Sequence, residues 1–432
     1  MENWKSALLG LLFLSVSPFL QAEIVIEQWE AEKGVPVYFV ENHSLPIVDV
    51  SVVINAGSAQ DPENRAGVAA LTEGLLAKGA GDMDENALSD ALADLGAVLG
   101  GAAGRLSSEV TLRTLSDNYK KSLSIFLDVL TKPHFTLPVF ERERNNLRLE
   151  LQDALTRPNI LARRAFIRAL YPNHPFGVLT TDQTLSKITR DDLVKFHQQY
   201  YVAANLQIVI VGDLKKSAAK KMANQIAVSF MDGEKTPTIT APQPLKDKET
   251  RKVPHPAAQS HILMGQITIA RSDPDYFPML VGNYTLGGGG FASRLMQEVR
   301  EKEGLAYSVY SAFAAGVESG TFEMALQTER TQAPKALALM NKVVADFVKD
   351  GPSDAEVEAA KAYLSGSFPL NIDSNKKIMR QVIHIATHNL PLDTLNTWQA
   401  RINAVTTDEV KAAYQKHLKP ETFLLVQTDA QE

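Results

Sequence analysis

Alternation of apolar and polar residues predicts strands in both halves of the chain. In the segment IVDVSVVI the apolar residues Val48, Val50, Val52 and Ile54 recur at every second position, as in a strand with one buried face. Segments such as KKSLSIFLDVLTKP and PKALALMNKVVADFVKD instead have the 3.6-residue period of amphipathic helices. Strands that alternate with such helices predict an α+β fold in which helices cover mixed sheets.

The predicted elements follow the same order in two halves of the chain. The first half has a strand pair, a helix at residues 67–78, a second helix, paired strands around SSEVTLRTLSD and two further helices. The second half repeats this order from ILMGQITIA to SDAEVEAAKAYLSG. We therefore predict two homologous domains, residues 23–235 and 255–432. A linker rich in proline, threonine and charge joins them at residues 236–254.

The first 22 residues predict a signal peptide, with Lys5 near the start, an apolar stretch from Ala7 to Leu20 and a small residue at Ala22. Because Leu20 is bulkier than the usual residue at its position, an uncleaved anchor is the alternative. No other run is long and apolar enough to predict a membrane span in the mature chain. These features predict a periplasmic protein.

Composition and charge narrow the possible chemistry. The chain contains no cysteine, which excludes disulfides, thiolate metal sites and a thiol nucleophile. Its net charge of -6 argues against binding to nucleic acid or to an anionic lipid surface. No G-x-S-x-G motif is present, so the sequence gives no support for a serine hydrolase.

Residues 67–75, GVAALTEGL, have the frame of a zinc-peptidase helix in which both histidine positions hold other residues. An H-x-x-E-H helix places two imidazoles one turn apart on the same face, and its Glu activates the metal-bound water. Here Ala70 and Gly74 occupy the histidine positions, and Glu73 alone keeps its identity.

The surrounding residues resemble the amino-terminal domain of the M16 family, which includes pitrilysin, insulinase and the mitochondrial processing peptidase. The resemblance rests on DPENRAG before the helix, LLAKGAGD after it, and the passage from NHPFG to LQIVIVGD. It implies that the two domains form half of a clamshell. It also implies that Glu150, in LRLELQDAL, stands where the family has a third metal ligand.

Loss of two nitrogen ligands out of three predicts that this chain holds no catalytic zinc and no other cofactor, because Ala70 and Gly74 have no lone pair to donate. For Glu73 and Glu150 two interpretations stay open. They are ordinary helix carboxylates, or they form the remnant of a site that binds metal weakly.

The second half contains REKEGLAY, in which the family pattern is intact. The resemblance implies that Arg300 and Tyr307 contact substrate, because in active M16 proteins such a pair faces the zinc helix of another half across the cavity. A guanidinium and a phenol can donate hydrogen bonds to a peptide carbonyl and to the oxyanion formed from it. The alternative is a structural arginine that pairs with Glu298 or Glu301, beside an ordinary strand tyrosine.

Other candidate residues are interpreted as structural. His174 and His197 have the setting of hydrogen-bonded packing residues. His384 and His388 have the i, i+4 spacing of metal ligands but no carboxylate between them. The run Gly287–Gly290 lacks the Lys-Ser/Thr of a phosphate loop, so it predicts a hinge or a tight turn between helices.

Three functions follow from these features. The first is a non-catalytic subunit of a heterodimeric M16 peptidase, which adds Arg300 and Tyr307 to a partner that carries the intact motif and the zinc. An edge strand around residues 102–107 would pair with the extended peptide substrate. The second is a peptide-binding or scaffolding protein without a proteolytic role. The third is a metallopeptidase with a non-standard metal site.

Overall fold

A computed structural model describes residues 23–429, so the predicted signal peptide at residues 1–22 lies outside the described residues. Within the described part the chain forms two mixed sheets, one of six strands and one of five, each packed against helices. This arrangement confirms the predicted α+β fold with two domains. None of the helices in residues 23–429 combines the length and apolar character that crossing a bilayer requires.

The first sheet has the strand order β1-β2-β6-β3-β5-β4, with β2 and β6 parallel and the other pairs antiparallel. Its strands are β1 (Glu27–Glu30), β2 (Pro36–Glu41), β3 (Ile47–Ile54), β4 (Val98–Ala103), β5 (Ser108–Leu115) and β6 (Leu206–Gly212). The helices of this half are α1 (Val68–Leu75), α2 (Glu85–Asp94), α3 (Tyr119–Thr131), α4 (Leu137–Ala154), α5 (Pro158–Leu170), α6 (Asp182–Lys187), α7 (Arg190–Tyr200) and α8 (Lys216–Ser229).

The second sheet has the order β7-β11-β8-β10-β9, with β7 and β11 parallel. Its strands are β7 (Glu249–Pro254), β8 (Gln259–Thr268), β9 (Ser308–Ala314), β10 (Gly320–Glu329) and β11 (Leu424–Asp429). Its helices are α9 (Tyr276–Asn283), α10 (Ala333–Asp350), α11 (Asp354–Ser367), α12 (Asn375–Thr387), α13 (Thr394–Ala404) and α14 (Thr407–His417). Because β7 lies inside the predicted linker, the second sheet begins before residue 255. The exact domain boundaries stay a prediction.

One helix from each half of the chain packs on the sheet of the other half. Helix α5 packs on β8 and β11, where the buried ring of Phe166 lies against Gly265. Helix α12 packs on β6 and β3, where Met379 and Val382 join Val209 in one buried cluster. Strands such as β6, which is apolar on both faces, need this second cover because an exposed apolar face is unfavourable in water. The two domains are therefore interlocked.

Candidate functional site

Helix α1 is fixed at its start by a buried carboxylate. Asp61 accepts hydrogen bonds from the backbone amides of Gly67 and Ala69, both at 2.7 Å. Burial raises the pKa of Asp61 to about 6, although these two hydrogen bonds act in the opposite direction. Gly67 has a φ of +117°, a conformation that favours glycine. The apolar side of α1 packs on β4, α4 and α7.

The two positions that would carry histidine lie on the exposed side of α1. Ala70 and Gly74 are both solvent-exposed, one turn apart. A Cβ atom added to Gly74 would meet no heavy atom within 4 Å. The space that two imidazoles would occupy is therefore open, and neighbouring side chains have not repacked into it.

Glu73 is half-buried and lies against the edge strand of the first sheet. A Cβ atom at Gly101 of β4 would collide with the Glu73 carboxylate, so glycine at that position permits the close approach. Burial raises the pKa of Glu73 from its ordinary value of 4.5 to about 7. Glu150, on the neighbouring helix α4, is exposed instead.

The residues at this location do not fit a zinc ion. Two of the expected ligand positions carry no donor atom, and the carboxylate of Glu73 packs on Gly101. Among residues 23–429, one group of three metal-type side chains has its ligand atoms within 4.8 Å of one another, and it consists of Asp273, Asp275 and His417. The Lys416 ammonium already donates to Asp275 at 2.7 Å, which opposes binding of a cation there.

The histidines that the sequence singled out have structural roles. His174 donates from Nε2 to the Thr240 carbonyl at 2.8 Å, and His197 donates to the Leu130 carbonyl at 2.8 Å. The rings of His384 and His388 lie 4.0 Å apart, and burial lowers the pKa of His384 to about 4.

Arg300 and Tyr307 lie side by side at the edge of the second domain. Arg300 belongs to the π-helical segment Met296–Lys302, and its guanidinium carbon is 5.7 Å from the centre of the Tyr307 ring. Tyr307 precedes β9, where its amide donates to the Gln327 carbonyl at 3.0 Å, and its side chain is 74% exposed. The structure therefore brings the two predicted residues together on an open surface.

A third residue, which sequence reasoning missed, completes this group. The Arg300 guanidinium also lies 5.0 Å from the ring of Phe291, which is 63% exposed. The nearest carboxylate is Glu301, at 3.6 Å, whereas Glu298 pairs with Lys302. The guanidinium is thus held by two rings and by an ion pair between its Nε and Glu301, as the structural alternative expects in part, and its terminal nitrogens can still reach a ligand.

The glycine run before Phe291 forms the turn between two helices, in agreement with its sequence interpretation. Residues Tyr284–Gly288 continue α9 as a π-helical turn, and a short 3-10 turn follows at Gly290–Ala292. A Cβ atom at Gly287 would collide with the backbone of Ser311 in β9. Glycine is required there because the turn packs directly on the strand that follows Tyr307.

The first sheet has an open edge beside α1. Strand β4 is the last strand of that sheet, and most of its residues are exposed. The prediction that placed the edge strand at residues 102–107 was wrong in its position. Residues 104–107 form the turn to β5, closed by a hydrogen bond from the Gly104 amide to the Ser107 carbonyl at 2.8 Å. Main-chain groups along the outer side of β4 are available to another extended chain.

The fold and the site define a class: a two-domain α+β protein with the helix of a zinc peptidase and no imidazole on it. The chain belongs to the M16 peptidase family and lacks its catalytic motif. The family model for insulinase (peptidase family M16) matches residues 37–182, and the model for the peptidase M16 inactive domain matches residues 187–364.

Individual proteins agree with this assignment. A crystal structure of a peptidase M16 inactive domain from Pseudomonas fluorescens is 34% identical, with a TM-score of 0.89 over 94% of this chain and 99% of that one. The non-peptidase homolog YmxG of Helicobacter pylori is 27% identical over 96% of this chain and 97% of that protein. The periplasmic protease PqqL of Escherichia coli shares the fold, with a TM-score of 0.82 and 15% identity over all of this chain and 49% of that one.

Proposed function

We propose that this chain is the non-catalytic subunit of a periplasmic, heterodimeric M16 peptidase. In this proposal a partner subunit carries H-x-x-E-H and holds the zinc, and this chain supplies Arg300 and Tyr307. The observation that supports it most is the contrast between the two sites. The two histidine positions of α1 carry no donor atom, whereas Tyr307 is exposed and the partly exposed Arg300, which pairs with Glu301 at 3.6 Å, lies beside it.

The position of the pair within this chain favours action on a second chain. Helix α1 packs on elements of the first domain. Arg300 contacts residues of the second domain, namely Phe291, Met296, Glu301 and Tyr307. A pair whose contacts lie within the second domain can face the corresponding helix of a partner. There Arg300 and Tyr307 would donate hydrogen bonds to the scissile carbonyl and to the oxyanion formed from it.

The edge strand β4 supplies the second element of the proposal. An extended peptide that adds to β4 gains main-chain hydrogen bonds that do not depend on its side chains. Small residues at Gly100, Gly101 and Ala102 leave this edge unobstructed. Substrates would then be unfolded or flexible peptides, bound largely without sequence preference.

The test is a reconstituted assay. The chain is mixed with a co-encoded M16 subunit that carries the intact motif, and cleavage of an extended fluorogenic peptide is measured. We expect the Arg300→Ala, Tyr307→Ala double variant to lower kcat/KM by roughly 100-fold, the range found for loss of oxyanion donors. The matched control changes Lys302→Ala and Tyr363→Ala, an exposed lysine and tyrosine outside the group. Full cleavage with the double variant would refute the assigned role.

The second candidate is a peptide-binding or scaffolding protein of the cell envelope with no proteolytic role. The name of the Helicobacter pylori relative, a non-peptidase homolog, favours it. In that case the chain would bind an extended peptide through β4, yet no M16 subunit with an intact motif would co-purify with it from the native envelope. Co-purification of such a subunit would favour the heterodimer.

A further inference from the structure

A cavity of about 540 Å³ lies between the two domains, and its lining includes neither Arg300 nor Tyr307 nor any residue of α1. The turn after β4 and the turn between β9 and β10 form two of its walls. Residues 236–242, at the start of the linker and called the strap below, form a third wall, and the end of α12 contributes to a fourth. Its volume lies in the range of small-molecule sites.

The walls of the cavity are held in place by hydrogen bonds. In the first domain the amides of Ser58 and Ala59 donate to the carbonyls of Gly104 and Arg105, at 3.0 and 2.9 Å. The strap is fixed at two points. The Thr236 amide donates to Asn205 at 2.7 Å, and the Thr240 carbonyl accepts from the His174 ring at 2.8 Å. A cavity with such anchored walls loses little entropy when a ligand binds.

An exposed arginine, Arg105, lines this cavity. The Arg105 guanidinium lies over two aromatic rings, 4.8 Å from the centre of Phe176 and 5.2 Å from that of Tyr171. Arg105 takes part in no ion pair with any carboxylate of residues 23–429. The guanidinium also interacts with the Tyr171 side chain through a hydrogen bond, and its remaining N–H donors form a fork that suits a carboxylate.

Further polar atoms of the wall lack partners. The hydroxyl of Thr236, a residue that is 9% exposed, and the side-chain oxygen of Gln207 are buried without a hydrogen bond to the described part of the chain. Because these two atoms are also shielded from the cavity space, recognition of a ligand would depend on Arg105 and the aromatic rings. The wall also contains the exposed Glu318 and the half-buried His388, and burial lowers the pKa of His388.

We infer that this cavity binds a small carboxylate with an apolar body, of the size of an acylated amino acid. The carboxylate would pair with Arg105, and the apolar part would lie against Phe176 and Tyr171, since most of the lining is apolar. This inference is independent of the proposed peptidase role.

Calorimetric titration of the purified full chain tests the inference, with N-acetylphenylalanine and its uncharged amide as the two probes. We expect the acid to bind with a Kd of about 1 mM or lower. The amide should bind more weakly than the acid by a factor of roughly 10 or more. Arg105→Gln should weaken binding of the acid by a similar factor and leave the amide unchanged. Arg157→Gln, at an exposed arginine outside the cavity, should leave both probes unchanged.

A second variant tests the inference independently, in case the Arg105→Gln variant does not fold. Ala315→Leu, in the turn between β9 and β10, fills the cavity and should abolish binding of both probes, while circular dichroism verifies the fold. Absence of binding to the wild-type chain at 10 mM probe (about tenfold above the expected Kd), equal affinity for acid and amide, or unchanged binding by either variant would each overturn the inference.

Discussion

Replacement of Glu73 by glutamine should stabilise the protein, and the size of the effect should depend on pH. Burial against Gly101 raises the pKa of the Glu73 carboxyl from 4.5 to about 7 in the folded chain. Between these two values the folded state keeps a proton that the unfolded state has released. Stability therefore falls as pH rises from about 4.5 to about 7, and the loss is complete above pH 7.

The magnitude follows from the two pKa values. The interval from 4.5 to about 7 corresponds to an upper limit of about 3.4 kcal/mol, at ~1.4 kcal/mol for each pH unit. Because Glu73 is only half-buried, solvent screening reduces this cost, and we expect ~1–2 kcal/mol. Glutamine resembles the protonated carboxyl and carries no charge, so Glu73→Gln should recover that amount at pH 8 and almost none at pH 4.5.

Urea denaturation followed by far-ultraviolet circular dichroism measures the effect at pH 4.5, 6, 7 and 8, values chosen to span the interval of about 4.5 to 7. The matched control is Glu150→Gln, at an exposed carboxylate on the adjacent helix α4, which should change stability by less than ~0.5 kcal/mol at every pH. Asp61, whose pKa is raised to about 6, titrates in both proteins and cancels in the comparison. A stability difference between Glu73→Gln and wild type that does not vary with pH would refute the reasoning.

Three further predictions concern other parts of the chain. Ala70→His with Gly74→His should restore binding of zinc, because both positions are open. Adding Glu150→Gln to that double variant should weaken zinc binding by roughly 10-fold or more. Mass spectrometry measures the zinc content, and a double variant with no more zinc than the wild-type chain, or a triple variant with as much as the double variant, would contradict these expectations. Phe166→Ala should destabilise the chain by about 3–5 kcal/mol in urea, since it removes the fully buried ring that α5 places on the second sheet; a loss below ~1 kcal/mol would contradict the interlocked packing. Phe291→Ala should raise KM in the reconstituted assay with little loss of folding, and it fails as a prediction if KM and kcat are both unchanged.

Much of this organisation could be predicted from local patterns. Strand β3 follows directly from the alternation of Val48, Val50 and Val52, and β5 coincides with the predicted strand in SSEVTLRTLSD. The proximity of Arg300 and Tyr307 also agrees with the resemblance to M16 proteins. These features depend on short stretches of chain, in which the period of apolar residues or a motif carries the information.

Features that depend on distant contacts were not predictable in this way. The placement of α5 and α12 on the opposite sheets involves residues far apart in sequence, although the unbroken apolar run of β6 is a signal that both its faces are covered. The contact of Glu73 with Gly101 is also long-range, so its perturbed pKa has no local signature. Phe291 could be found only once the glycine turn placed its ring beside Arg300.

The helices that the two halves exchange have a consequence for work on fragments. A protease that cuts the linker between residues 236 and 248 would produce two pieces that each retain a helix buried in the other. Such pieces should stay together as a non-covalent pair and separate only when both unfold. Expression of either half alone would leave an apolar sheet face uncovered, so an aggregated product would reflect the missing helix and not an intrinsic defect of that half.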